Sequence, residues 1–158
     1  MTEQVKVGDE APEFEAPVVG GEYEDGVQVS LKALRGRKVV LYFYPKDDTP
    51  GCTKQACALR DSWGKIGALA QVFGVSIDPV KRHRKFIDKY ELPFPLISDE
   101  SKEIVEAYGV WVQKKLYGRE YMGTERTTFV IDEKGKVMEV FRKVKPLEHL
   151  DQLLAVLS

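Results

Sequence analysis

Both cysteines of this chain stand in one short stretch, YPKDDTPGCTKQAC, with Cys52 directly after Thr49-Pro50-Gly51 and Cys57 five residues on. A cysteine reacts as its thiolate, so what matters first is whether the neighbourhood stabilises the anion. Threonine is a preferred helix N-cap and proline is favoured at the first helical position. The spacing therefore predicts a helix that begins at Thr49-Pro50 and places Cys52 in its first turn. There, unpaired backbone N–H groups and the positive end of the helix dipole favour a thiolate. Gly51 adds no bulk beside the sulfur, and Pro50 has no N–H to compete. Cys52, Ala56, Leu59, Trp63, Ile66 and Ala70 recur at helical spacing and form one apolar stripe, which turns the sulfur toward the interior. A thiolate in a narrow pocket lined with donors suits attack on an O–O bond.

Cys57 poses a separate question. Five residues along a helix rotate by about 140° and rise about 7.5 Å, which separates the two Cα atoms by about 8.6 Å. A disulfide needs them within roughly 7 Å. Either Cys57 is an inert packing residue, or the first turns unwind before it can reach Cys52. Pro50-Gly51 and Thr53-Lys54-Gln55 bring little that would lock those turns.

Strands and helices alternate around this stretch. The Gly- and Pro-punctuated first third suggests short strands and turns, with Val27 to Leu31 alternating as a half-buried strand and Ser30 capping a short helical turn through Leu34 that Gly36 stops. Val39 to Tyr44 is a continuous apolar, β-rich run, the pattern of a central strand buried on both faces, and Pro45 ends it. Val72 to Ile77 and Phe94 to Ile97 read as further strands. Val80 to Tyr90 reads as a basic, exposed helix, and a helix over Lys102 to Tyr108 has Ser98 and Asp99 as cap candidates. Thr127 to Asp132 and Val137 to Val144 spell a hairpin, and Pro146 opens a last helix carrying Leu147, Leu150, Leu153, Leu154 and Leu157. Gly64 and Gly67 weaken the distal half of the cysteine-bearing helix. The whole is an α/β chain with a central mixed sheet and helices on both faces.

The bulk properties narrow the function classes. The 158 residues suffice for one domain with a sizeable core, and we expect residues 1–158 to form a single unit. The 24 basic and 25 acidic residues nearly cancel, so neither nucleic acid nor an anionic membrane is the expected partner. The longest apolar run, Val39 to Tyr44, falls far short of the roughly 20 residues that span a bilayer. The start of the chain is polar and acidic, so a cytoplasmic location is expected; there, paired cysteines suggest redox chemistry or metal binding rather than a structural disulfide.

Pro45, Thr49 and Cys52 together spell P-x-x-x-T-x-x-C, which resembles the active-site motif of the peroxiredoxins. CTKQAC followed by ALRD resembles the bacterioferritin comigratory protein, or peroxiredoxin Q, branch. VGDEAPEF, GVSIDPVKRHRKF, FPLISDE, the run from YGV to KKLYG, and ERTTFVIDEKGKV are similar to that branch in the same order, across nearly the whole chain. The resemblance implies a thioredoxin-like fold and a thiol-dependent peroxidase that reduces hydrogen peroxide and organic hydroperoxides. It implies that Cys52 is the peroxidatic residue and that Cys57 resolves its sulfenic acid into an intrachain disulfide, which a thioredoxin-type reductant reopens. Thr49 matches the threonine that holds the peroxide, Arg126 the arginine near the sulfur, and Pro45 a shield against solvent. No cofactor or metal is implied, and resolution within one chain suits a monomer. Position 55 departs from the branch, where glutamate is frequent, by carrying Gln55.

Readings from other classes stand beside this one. A metal-binding or delivery module would use the two cysteines with His83 and His149, but these lie far apart and no zinc-site spacing is present. A disulfide oxidoreductase would carry C-x-x-C, which this chain lacks. A redox-sensing protein would share the cysteine chemistry. Lys81-Arg82-His83-Arg84-Lys85 reads as a solvated helix face rather than a nucleic-acid site, since no aromatic residues interleave it. His149 has no assigned role, and Trp63 and Trp111 read as packing residues, with Trp111 a candidate border of the pocket.

Overall fold

The computed structural model describes residues 4–158. Strands β1 (Glu15–Gly20) and β2 (Tyr23–Ser30) form an opening hairpin and are followed by a short 3-10 turn, Lys32–Leu34. The chain continues through β3 (Val39–Phe43), α1 (Pro50–Asp61), α2 (Trp63–Leu69), β4 (Gln71–Ser76), α3 (Val80–Tyr90), β5 (Leu96–Ser98) and α4 (Glu103–Ala107). A second hairpin, β6 (Trp111–Leu116) and β7 (Arg119–Thr124), precedes β8 (Thr127–Ile131), β9 (Val137–Phe141) and α5 (His149–Leu157). Seven strands make one mixed sheet in the order β2-β1-β5-β4-β3-β8-β9, with β3, β4 and β5 parallel. No helix among the described residues is long and apolar enough to cross a membrane.

The continuous apolar run of β3 follows from its central place. Val39, Leu41 and Phe43 face one core together with Phe73, Phe129 and Tyr108. Val40, Tyr42 and Tyr44 face the other, which contains Cys52, Leu59, Ile66, Phe86 and Leu153. Helices α1, α2, α3 and α5 cover the second face, and α4 lies on the first through Ile104 and Val105. Each fully buried large apolar side chain contributes roughly 1.5–3 kcal/mol, so the two faces together carry most of the driving force.

Several expectations are met with local changes. The apolar stripe from Cys52 to Ala70 does face the sheet, but Ser62 breaks the helix into α1 and α2. Gly67 serves packing: a Cβ there would come within 2.8 Å of the Trp63 ring, which lies over the helix and reaches Phe94 at 5.7 Å between centroids. Asp99 caps α4 by accepting from the backbone N–H groups of Ile104 and Val105 at 3.1 and 2.9 Å. Ser30 Oγ accepts from Ala33 N–H at 3.3 Å, as a cap on the short turn. The last helix starts at His149; Pro146 to Glu148 form a turn instead, leaving Leu147 exposed.

Two readings need correction. Helix α3 is amphipathic rather than exposed, because His83, Phe86 and Ile87 are buried against the sheet while Lys81 and Lys85 face solvent. The β6–β7 hairpin was not expected at all. Its strands are largely exposed and lack apolar alternation; its signal is Tyr117-Gly118, both at positive φ (50° and 77°), as a two-residue hairpin turn requires.

Candidate active site

The site is assembled where β3 runs into α1. Tyr44 continues the strand and donates its N–H to Val75 O at 3.1 Å. Pro45 then ends the pairing, and the chain reaches Thr49, the N-cap, with Pro50 at the first helical position. The Thr49 hydroxyl does not cap the helix. It donates to Lys46 O at 2.8 Å, which leaves the lone pairs of the threonine oxygen free of that bond as acceptors. The first helical bond is Thr53 N–H to Thr49 O, which leaves the N–H of Cys52 among the unpaired donors of the first turn.

Arg126 arrives from the start of β8, far away in sequence. Its Nη2 donates to Cys52 Sγ at 3.4 Å and its Nη1 donates to Gln55 Oε1 at 2.6 Å. Gly51 permits this approach: a Cβ there would lie 3.2 Å from Arg126 Nη2 and 3.5 Å from Pro146. Gln55 is fully buried and fixes the guanidinium through a neutral amide, so the arginine charge is left to the sulfur. A glutamate would take up part of that charge. Sequence reasoning noted Gln55 only as a departure, and the contact across 71 positions that gives it a role has no local signal.

Other groups border the pair. Lys114 on β6 is lowered from the usual lysine range, first by burial and then by Arg126, which places a second cationic side chain beside the site. A shallow cleft of about 420 Å³ opens there between Val112, Lys114, Arg126 and Val144. His149 sits behind the site, its Nε2 paired with Thr128 Oγ1 at 2.8 Å and its ring 5.4 Å from that of Tyr42. Burial, reinforced by Arg126, pushes its pKa down to about 3, so the ring is neutral packing. Trp111 lies against the opposite core, with Lys102 over its ring, and does not border Cys52.

Cys52 is 2% exposed and Cys57 is half-buried, and both are free thiols on an unbroken α1. The structure thus brings Thr49, Cys52 and Arg126 together, with Pro45 half-buried at the end of β3. Cys57 stays about 1.4 helical turns away, beyond disulfide reach while the helix stands.

Residues 7–140 match the model of the AhpC/TSA family. This chain is a peroxiredoxin of that family. Peroxiredoxin Bcp of Bacillus subtilis is 44% identical over 155 residues, covering 98% of this chain and 96% of its own. Peroxiredoxin Bcp of Escherichia coli is 42% identical over 151 residues, covering 95% and 94%. The structure of the Xanthomonas campestris bacterioferritin comigratory protein, studied for its alkyl peroxide reduction activity, superposes with a TM-score of 0.85 at 34% identity over 97% of this chain and 95% of that one. The peroxidoxin BcpB of Mycobacterium tuberculosis gives 0.83 at 36% identity, covering 98% and 97%. The fold is that of the thioredoxin-like peroxiredoxins, and the chain is a thiol peroxidase acting on hydroperoxides with a thiol reductant.

Proposed function

We propose that Cys52 is the peroxidatic cysteine, Cys57 its resolving partner, and Thr49 and Arg126 the groups that hold the peroxide, with Pro45 closing the site to solvent. The observation that carries this reading is the Arg126 guanidinium 3.4 Å from the Cys52 sulfur at a helix N-terminus. The Cys52 thiolate attacks one peroxide oxygen, the O–O bond breaks, and the departing oxygen leaves with a proton as water or an alcohol. Arg126 and the first-turn N–H groups stabilise the charge moving onto that oxygen, while Thr49 accepts a hydrogen from the peroxide. Cys52 becomes a sulfenic acid. The first turns of α1 then unwind, the Cys57 thiolate attacks the Cys52 sulfur, and hydroxide leaves as water once protonated. A dithiol reductant of the thioredoxin type returns both thiols by exchange.

Hydrogen peroxide and organic hydroperoxides both fit this chemistry, because only the O–O bond reacts. Resolution inside one chain requires no second subunit, so we assign a monomer. A single seven-stranded sheet built from residues 15 to 141 supports one domain over residues 1–158. Two thiols that must be re-reduced each turnover suit the reducing cytoplasm. Intact mass with a free-thiol count, after one equivalent of hydrogen peroxide is added to reduced protein, tests the scheme. Loss of two hydrogens and both free thiols in a monomeric species is expected. Gain of one oxygen with Cys57 still free would make this a one-cysteine enzyme.

A further inference from the structure

The sequence KRHRK, which reads as a solvated face, lies on a helix that grips the active-site loop. Asp47, two residues before Thr49, is fully buried. Its Oδ1 accepts from Tyr44 OH at 2.6 Å, and its Oδ2 faces His83 Nδ1 at 2.6 Å. The other ring nitrogen, Nε2, lies 2.9 Å from Ile97 O; a carbonyl can only accept, so Nε2 carries a hydrogen, while Nδ1 is hydrogen-bonded to the carboxylate. The Asp47 N–H donates to Asp78 Oδ2 at 2.9 Å, an oxygen that also accepts from Ser76 Oγ at 2.6 Å. Arg82 completes the cluster with a 3.2 Å ion pair to Asp78 Oδ1. Asp47, Asp78 and His83 bring ligand atoms within 4.8 Å of one another, but those atoms already face hydrogen-bond partners and the Arg82 guanidinium, which leaves no open position for a metal.

The next residue is held from the same helix. Asp48 adopts a left-handed backbone (φ 58°), and its carboxylate accepts from Lys89 Nζ and Tyr90 OH, each at 2.8 Å. Arg60 of α1 donates to Tyr90 O at 2.8 Å, so α3 also ties to the helix that carries Cys52. Left to itself, a loop with one residue in a sparsely populated conformation would sample alternatives. Here its two central residues are clamped from one side, and Thr49 follows directly.

We propose that Asp47 and His83 are positioning residues for peroxide reduction, with α3 acting as a clamp that fixes the Thr49 hydroxyl relative to the Cys52 sulfur. The proposal rests on the assignment of Cys52 and Thr49 made above. Its consequence is selective. The sulfur lies in the first turn of α1 and is contacted by Arg126, neither of which the clamp supplies. Attack on a peroxide also needs Thr49 in place. Loss of the clamp slows peroxide reduction and spares reactions that need only a thiolate.

The test compares two rates at Cys52 in the full chain: oxidation by hydrogen peroxide and alkylation by iodoacetamide. In Asp47→Ala the peroxide rate should fall about 100-fold while the alkylation rate stays within about threefold of wild type. Asp47→Asn, which keeps an acceptor for Tyr44 and a hydrogen-bonding group for His83, should recover most of the peroxide rate. Tyr44→Phe removes one hydrogen bond to the same carboxylate and should cost about tenfold in the peroxide rate alone; it decides the matter if Asp47→Ala does not fold. A folded Asp47→Ala or Tyr44→Phe variant with the wild-type peroxide rate overturns the proposal, and so does a parallel loss of both rates. Wild-type protein that does not oxidise at Cys52 in the same assay would instead overturn the underlying assignment.

Discussion

At the scale of residues, the candidate site combines one sulfur and one hydroxyl from the start of α1 with one charge from the start of β8. Arg126 spans Cys52 and Gln55 with two nitrogens of a rigid fork, a geometry that a lysine cannot reproduce. Arg126→Lys should therefore lower the rate of peroxide reduction by about 100-fold although the positive charge is kept, as stopped-flow measurement of Cys52 oxidation would reveal. On the proposed scheme Thr49 acts through its oxygen, so Thr49→Ser should retain most activity and Thr49→Val lose most of it in a peroxide-consumption assay. Cys52→Ser should abolish consumption altogether. Activity persisting in that variant would move the chemistry elsewhere.

At the scale of elements, the proposed scheme requires α1 to be both a scaffold and a spring. Its intact first turns hold Cys52 beside Arg126, and the same turns keep Cys57 out of reach. The oxidised protein should lose the helical turns over residues 50–57, visible as reduced far-ultraviolet helicity and faster amide exchange there, both reversed by a dithiol. A Cys52–Cys57 disulfide on an unchanged helix would refute this. In Cys57→Ser the helix should stay folded after one turnover, with the protein halted at the sulfenic acid. Behind the site, α5 begins with a buried neutral His149 whose pKa is pushed down to about 3 from an ordinary 6.5, chiefly by burial. The folded value is depressed, so the stability linked to it is complete above pH 6.5 and is lost as pH falls toward 3. Between pH 7.5 and pH 5 that loss is about 2 kcal/mol. Urea unfolding of wild type and His149→Gln at both pH values should show the wild type losing more on acidification by about this amount.

At the scale of the whole molecule, one sheet separates two cores, and the reactive sulfur belongs to one of them. Packing errors on the face away from Cys52 should affect stability before they affect chemistry. Phe129 is completely buried there, against Phe43 and Tyr108 at 5.7 and 5.1 Å between ring centroids. Phe129→Ala should cost about 3–5 kcal/mol in urea unfolding, while the folded fraction keeps its rate of reaction with peroxide to within about twofold.

The parts of this protein that are local in cause were legible from the chain alone. Thr49-Pro50 starts a helix because capping and a fixed φ act within one turn, and that is enough to place Cys52 at N3. The uninterrupted apolar run of β3 announced a strand with two covered faces, and period and turn residues announced β8–β9. The motif from Pro45 to Cys52, with its companions along the chain, pointed to the family. Contacts between residues distant in sequence were decided by folding. Gln55 orients Arg126, and His83 anchors Asp47, across 71 and 36 positions, and nothing near any of these residues encodes its partner. The charge run on α3 looked solvated because composition does not say which side of a helix faces the sheet. Its histidine is buried and its neighbours are exposed, a division made only when α3 packs against the strands. Local backbone preferences therefore set where the thiol sits, and long-range packing sets what surrounds it.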